Sequence, residues 1–366
     1  MSDAICDRMN FVWKQKTAHG GITMLLWRNT CTEPYQNMAT EEYLLMTAKE
    51  PVVMLWRNSP AVIIGKNQDA RAEVDFTFTE SRGIKVVRRL TGGGAVFHDT
   101  GNVNYTFVVP NGTALDFSAF TRPITEALAG LGIAAERSGR NDLVISADGR
   151  KFSGTAQCIY HRKKEDGSLQ KVLMHHGTLL FSADLSSLSG ALTPDKEKIA
   201  SKGIRSVKSR VVNLSTLLPP EKSDMTAEAF KAYLEDYFIQ NGASPAEFSP
   251  ADREAVKHLA AEKYETDAWL LGRFGTGEKT RRRRFDFGSV CVSLCAKDKK
   301  IEQIAFSGDF FGAKDIAGLE KMLIGMRVDI PSLTKCLSDA GLSDYIMGAA
   351  PVEIAELIVE TANANP

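Results

Sequence analysis

Three consecutive glycines, Gly92, Gly93 and Gly94, stand between Arg88-Arg89 and His98-Asp99 in the stretch RRLTGGGAVFHDTGN, residues 88–102. Glycine tolerates positive φ and lets backbone N–H groups approach a ligand closely. Successive N–H groups in such a loop form a concave anion site. Arginine matches phosphate or carboxylate oxygens in a bidentate way. The composition suits a nucleotide or carboxylate cradle between two strands; on pattern alone a plain hairpin loop stays open. Two familiar phosphate loops are excluded. No Gly-Lys-Ser/Thr tripeptide occurs, since Gly65-Lys66 is followed by Asn67. A dinucleotide fingerprint spaces its glycines and opens a helix, whereas here they are contiguous and AVFH reads as extended chain.

Lys151 heads a second constellation, within GRNDLVISADGRKFSGTAQ at 139–157. A lysine beside Ser153, Gly154, Thr155 and Ala156 on a strand can lay its ammonium against a bound ligand. The bland alternative is a solvated lysine at a hairpin tip, because DGRK is a plausible turn. A third stretch, HHGTLLF from His175 to Phe181, offers two histidines. A histidine inside a sheet is more often a satisfied core residue than a catalyst.

These groups need elements to hold them. EPYQNMATEEYLLMTAKE predicts a helix with Met38, Leu44, Leu45 and Ala48 on one stripe. VVMLWRNSPAVIIGKNQ reads as two strands joined by a turn at Asn58-Ser59-Pro60. IKVVRR and NVNYTFVV are strands on either side of the glycine loop, and Asp116 caps a helix ending at Gly130 and Gly132. DLVIS, RKFSGTAQCIY and HHGTLLF are three more strands, and MTAEAFKAYLEDYFIQNG is a helix. GASPAEFSPAD, 242–252, is rich in small residues and proline and reads as a linker. Beyond it come two strands turning at KDKK, then helices near 315–324 and 351–362. The expected organisation is α+β: an extension at 1–22, a large domain at 23–244, a linker at 245–252 and a small α+β domain at 253–366.

The 366 residues carry 45 lysines plus arginines against 45 acids, so net charge gives no pull toward nucleic acid or membrane. No apolar run reaches the ~18 residues of a membrane span. The N-terminal residues lack a signal-peptide core. Six scattered cysteines suggest no disulfide framework, so a reduced, cytoplasmic protein is expected. Cys291 and Cys295 have no second ligand pair to complete a zinc site and read as two thiols along one strand.

In order, WRNSPAVIIGKNQ, RRLTGGGAVFHDTGN, NDLVI, RKFSGTA, HHGTLLF and PDKEKIASKGIRSVKSRVVNL, covering 56 to about 214, resemble the lipoate–protein ligase family of the two-domain bacterial type. The resemblance implies a fold shared with biotin protein ligases, a mixed sheet flanked by helices, with the small C-terminal domain as an accessory. It implies that lipoate and ATP, with Mg²⁺, give lipoyl-AMP and pyrophosphate. The lipoyl group then passes to a lysine of an acceptor: a lipoyl domain of a 2-oxoacid dehydrogenase E2 subunit, or the glycine cleavage H protein. A monomer is expected, with no nucleic-acid or membrane partner. By this resemblance Lys151 is the catalytic cation between acyl carbonyl and α-phosphate, and Arg89 serves the carboxylate or phosphate. Gly94, Ala95, Val96 and Phe97 lie against ATP. Asn141 and Asp142 help with adenine, phosphate or Mg²⁺, Asp142 being the metal candidate. Gly92, Gly93, His98, Gly154 and His176 belong with Lys151 and Arg89 at the lipoate.

The nearest rival is an octanoyl or lipoyl transferase of the same fold working through a cysteine thioester, for which Cys158 is the one cysteine near the motifs. A non-catalytic lipoate-binding protein is the rival from another class. Biotin is excluded as substrate because G-R-G-R-x-G is absent. Lys202, Arg205, Lys208 and Arg210 form a basic run that could steer an acidic acceptor. The run Arg281–Arg284 reads as a solvated strand entry.

Overall fold

The structure is a computed structural model that describes residues 24–112, 117–139, 141–164, 166–192, 211–272 and 277–364, without the side chains of 187–189. The extension at 1–22, Asp116 and the basic run at 202–210 lie outside the described residues.

The chain enters through β1 (Leu25–Arg28) and α1 (Pro34–Thr47), whose N-terminus is capped by the Glu33 carboxylate and carries Pro34 in its first turn. Then follow β2 (Val52–Trp56), β3 (Ala61–Ile64), β4 (Lys85–Arg88), β5 (Val96–His98) and β6 (Asn102–Pro110). β2 and β3 are not a hairpin. The turn at Asn58–Pro60 carries the chain from the large sheet into a small one, ordered β4-β3-β5, with β3 parallel to β4 and antiparallel to β5. The glycine loop therefore joins the two outer strands of a three-stranded sheet.

After α2 (Phe117–Ala129) come β7 (Ala135–Ser138), β8 (Asp142–Ile145), β9 (Lys151–Lys163), β10 (Leu169–Leu180), α3 (Ala227–Gln240) and β11 (Ser244–Glu247). They complete a mixed eight-stranded sheet, β11-β1-β2-β6-β10-β9-β8-β7. Only β11, β1 and β2 run parallel. Alternation along β6 separates two environments. Val103, Tyr105 and Phe107 face a core with Phe120, Ile124, Leu234 and Phe238 from α2 and α3. Asn104 lies on the opposite face and lines the cavity described below.

The expected linker at 245–252 is instead built into the large domain. Ser244–Glu247 adds an edge strand beside β1, where Pro245 is tolerated. Ser249 then caps α4 (Pro250–Leu259) in a capping box with Asp252, with Pro250 at the helix start. Small residues and prolines look the same in a linker as in an edge strand followed by a capped helix. The chain stays on the large domain beyond α4: Tyr264 is buried and donates to Glu42 at 2.8 Å, and Trp269 donates to the Arg88 carbonyl at 2.9 Å.

The C-terminal unit has three antiparallel strands rather than the expected two, β12 (Lys279–Phe285), β13 (Gly288–Lys297) and β14 (Lys300–Gly308). Asp298 and Lys299, both at positive φ (50° and 59°), make the β13–β14 turn. The arginine run is β12 itself, paired with acids: Arg283 with Glu356 and Glu360, Arg282 with Glu73 of the large domain, Arg284 with Asp309. Helices α5 (Ile316–Leu323), α6 (Ile330–Asp339) and α7 (Pro351–Asn363) pack into a core of Val292, Leu294, Phe306, Leu319, Leu333 and Ile358. No helix among the described residues is long and apolar enough to cross a membrane.

Candidate active site

β9, β10, the glycine loop and β5 enclose a cavity of about 220 Å³. Its floor is set by a side-chain-free position. A Cβ on Gly154 would stand 3.2 Å from Lys151 Nζ, so the missing side chain lets the lysine fold over its own strand. Lys151 Nζ pairs with Asp142 Oδ1 at 2.7 Å, both side chains being about a third exposed at the cavity's mouth. A bulge where β8 meets β9 places Asp142 opposite Gly154 and Val144 opposite Lys151. Asn141 is turned into the framework: its Nδ2 donates to the Thr155 carbonyl at 2.7 Å.

Arg89 is buried, and its guanidinium holds the loop from within. It donates to the carbonyls of Ile63 (3.0 Å), Gly92 (2.7 Å) and Gly94 (2.9 Å) and to Thr91 Oγ1 (2.9 Å). Burial lowers both Arg88 and Arg89, to about 10, which leaves them charged at neutral pH. Arg88 turns away from the cavity. It donates to the carbonyls of Gly65 and Gln68, and to those of Trp269 and Leu270.

His176 joins this system to the large sheet. Its Nε2 lies 2.8 Å from Thr91 Oγ1 and its Nδ1 2.8 Å from Glu41 Oε1. A carboxylate only accepts, so the imidazole donates from Nδ1 to Glu41, and Thr91 Oγ1 meets Nε2. Glu41 also accepts from Thr106 (2.6 Å), which accepts from Trp56 Nε1 (2.8 Å). Every polar group in this buried chain from Arg89 to Trp56 has a partner, which makes it a rigid wall. His175, one residue earlier, faces the other core, stacked on Phe120 at 4.9 Å, and burial pushes it well below the usual imidazole range.

Of the residues assigned from sequence, Arg89, Gly93, Gly94, Ala95, Val96, His98, Asn141, Asp142, Lys151, Gly154 and His176 all line this one cavity. Two do not. Phe97 points the other way along β5, into the core of Val62, Ile64 and Val86. Gly92 lies against the C-terminal unit, where an added Cβ would sit 2.4 Å from the Phe310 carbonyl. Sequence reasoning missed Glu41 and Trp56; the signal available was buried polarity on α1, where Asn37, Thr40, Glu41 and Glu42 interrupt the apolar stripe. It also missed Arg284 and Asp309, which reach the cavity from the C-terminal unit and which nothing local in the sequence marks.

No group of three or more metal-ligating side chains occurs among the described residues. The two cavity carboxylates differ. Asp309 is held by Arg284 (3.1 Å) and the Ser289 N–H (2.6 Å), whereas Asp142 stands at the mouth. Such a donor set fits a magnesium ion that arrives on a nucleotide's phosphates and takes one protein carboxylate.

The sequence matches the family described as Lipoyl protein ligase A/B catalytic domain over residues 33–239, and Bacterial lipoate protein ligase C-terminus over 278–358. It is 35% identical over 334 residues to lipoate-protein ligase LplJ of Bacillus subtilis, covering 89% of this chain and 97% of that one. It is 36% identical over 322 residues to lipoate–protein ligase 1 of Staphylococcus aureus, covering 87% and 94%. Among solved structures, P. falciparum LipL1 in complex with lipoate superposes with a TM-score of 0.70 at 22% identity, covering 92% of this chain and 99% of that one. A lipoate-protein ligase A bound with ATP gives 0.53 at 24% identity, covering 68% and 98%. With both units matched in order and relatives above 30% identity along most of their length, the chain belongs to the lipoate–protein ligase family.

Proposed function

We propose that this ligase is ATP-dependent: it converts lipoate and ATP to lipoyl-AMP and pyrophosphate, then passes the lipoyl group to a lysine amine. The acceptor is a lipoyl domain of a 2-oxoacid dehydrogenase E2 subunit or the glycine cleavage H protein. The observation that carries the reading is the meeting of Lys151, Arg89 and the glycine loop around one cavity whose inner wall includes Trp56, Ile63 and Met38. That graded lining suits an acyl chain inside with its carboxylate at the mouth.

A carboxylate cannot acylate an amine directly, because oxide would have to leave. Attack of its oxygen on the α-phosphorus of ATP, with pyrophosphate leaving, gives a mixed anhydride. The acceptor amine then attacks the acyl carbon and AMP departs. Negative charge builds on the α-phosphate in the first step and on the acyl oxygen in the second. Lys151 is positioned to meet both, exchanging its pairing with Asp142 for these oxygens. Asp142, released, would be the carboxylate able to hold a magnesium ion carried by ATP. Arg89 acts as a buried charge that shapes the loop rather than as a free anion receptor, since four of its five N–H groups donate to the carbonyls of Ile63, Gly92 and Gly94 and to the Thr91 hydroxyl.

The thioester alternative is disfavoured. Desolvation pushes the Cys158 thiol up to about 12, and the half-buried side chain packs against the core rather than lining the cavity, so little thiolate would form. Mass spectrometry of a lipoyl-domain acceptor, incubated with enzyme, lipoate, ATP and Mg²⁺, tests the whole reading. The expected result is one lipoyl addition that requires ATP. Addition without ATP, or none, contradicts it.

A further inference from the structure

His98 meets the buried end of the cavity, and backbone groups decide which of its nitrogens carries the proton. The Cys31 N–H donates to Asn29 Oδ1 at 2.9 Å, which turns Asn29 Nδ2 toward Asn37 Oδ1, also at 2.9 Å. Asn37 Nδ2 faces the carbonyls of Cys31 (3.1 Å) and Arg57 (2.9 Å) and donates to Asn58 Oδ1 at 2.7 Å. Asn58 Nδ2 is thereby aimed at His98 Nδ1, 3.1 Å away. A ring nitrogen that accepts has no proton, so the neutral imidazole carries its proton on Nε2. Burial, then the Arg89 charge, lower His98 to about 3, so it is neutral in the physiological range.

That Nε2 is buried and has no hydrogen-bond partner among the described residues. His98 is 3% exposed, lines the cavity and meets the Trp56 ring edge-on at 5.9 Å. Three asparagines therefore hold the Nε2–H in one orientation, on the side of the ring away from Asn58, in a residue that lines the cavity. Such a group calls for an acceptor on the ligand.

We propose that His98 Nε2–H reads the far end of the acyl substrate, donating to a sulfur of the dithiolane ring and so favouring lipoate over a plain eight-carbon acid. The proposal rests on the adenylating reading above, in which the carboxylate lies at the mouth near Lys151. A ring sulfur has lone pairs and accepts weakly; the end of an octanoyl chain has none, and seating it there leaves the N–H buried and unpaired. Asn29, Asn37 and Asn58 are positioning residues that act through the imidazole.

Pyrophosphate exchange into ATP, run with lipoate or octanoate as the sole acid, tests this. The ratio of kcat/KM values should favour lipoate by about tenfold or more in the wild type, the scale of one buried donor left unpaired. It should fall toward unity in His98→Phe. An unchanged ratio in the variant overturns the proposal. NMR of ¹⁵N-histidine in the folded wild type is independent of any variant's folding. The Nε2–H tautomer is expected throughout pH 6–8, with its proton shifted by lipoate and not by octanoate. A proton on Nδ1, or equal shifts, overturns it. Asn58→Asp keeps an acceptor for Asn37 but draws the imidazole proton to Nδ1. The lipoate preference should then weaken at pH 8, and its survival with the proton on Nδ1 counts against the proposal. If the wild type exchanges pyrophosphate with neither acid, the adenylating reading fails, and the NMR titration with lipoate still decides the donor.

Discussion

Lys151 and Gly154 act as one unit. The sequence alone left Lys151 open as either a turn residue or a ligand contact. In the structure Lys151 lines the cavity, and the absent Cβ at Gly154 leaves its ammonium room to lie against its own strand. Lys151→Ala should cut turnover by at least ~10²-fold, the usual scale for one charge-stabilising donor. Steady-state assay checks this, and unchanged turnover removes the lysine from the mechanism. Gly154→Ala places a methyl 3.2 Å from Nζ and should lower turnover while leaving Tm near the wild-type value. The buried imidazoles give a separate, stability-level prediction. His175 is held well below its ordinary 6.5, so between that value and its folded pKa the unfolded chain binds more protons. Stability is therefore fully present above about 6.5 and is lost as pH falls below it. His175→Phe should flatten the fall in Tm between pH 7 and 5; a slope equal to the wild type's contradicts the assignment.

At the scale of elements, periodic segments were legible and shared composition was not. The strands of the large sheet near the site, helices α1 and α3, and the extended AVFH after the glycines follow from hydrophobic pattern. The supposed linker did not, because Ser249-Pro250 and Pro245 are as much a helix start and an edge strand as a hinge. The loop motif says nothing of which strand face each residue takes; period two along β5 sends Val96 and His98 to the cavity and the Phe97 side chain to the opposite core. The asparagine relay was invisible because its members come from three separate segments. The glycine loop is the element most open to test. Gly93 adopts φ +90°, and a Cβ there would stand 3.0 Å from the Phe311 ring. Gly93→Val should abolish adenylation with little change in far-UV circular dichroism, and retained activity would show that the loop tolerates a side chain.

At the scale of the whole molecule, the C-terminal unit belongs to the site. Arg284 and Asp309 line the cavity, the Phe310 carbonyl faces the Gly93 N–H at 3.4 Å, and the Gly308 N–H donates to the Asn67 carbonyl at 2.8 Å. The part-buried pair Arg282–Glu73 (3.2 Å) and the exposed pair Lys66–Asp315 (3.0 Å) tie the same two units, the exposed one contributing little by itself. The glycine loop is therefore restrained from outside by the Gly308–Phe311 segment as well as from within by Arg89. Phe311→Ala should raise amide hydrogen exchange at Gly92–Ala95 and leave the strands β12–β14 protected; unchanged exchange would place the restraint in Arg89 alone. Residues of both units thus line one cavity, and the first half of the proposed reaction is the central claim. Exchange of labelled pyrophosphate into ATP by the purified chain, with Mg²⁺ and no acceptor protein, measures that half directly. The account predicts exchange that depends on lipoate and disappears in Lys151→Ala; exchange absent from the wild type, or independent of lipoate, would contradict it.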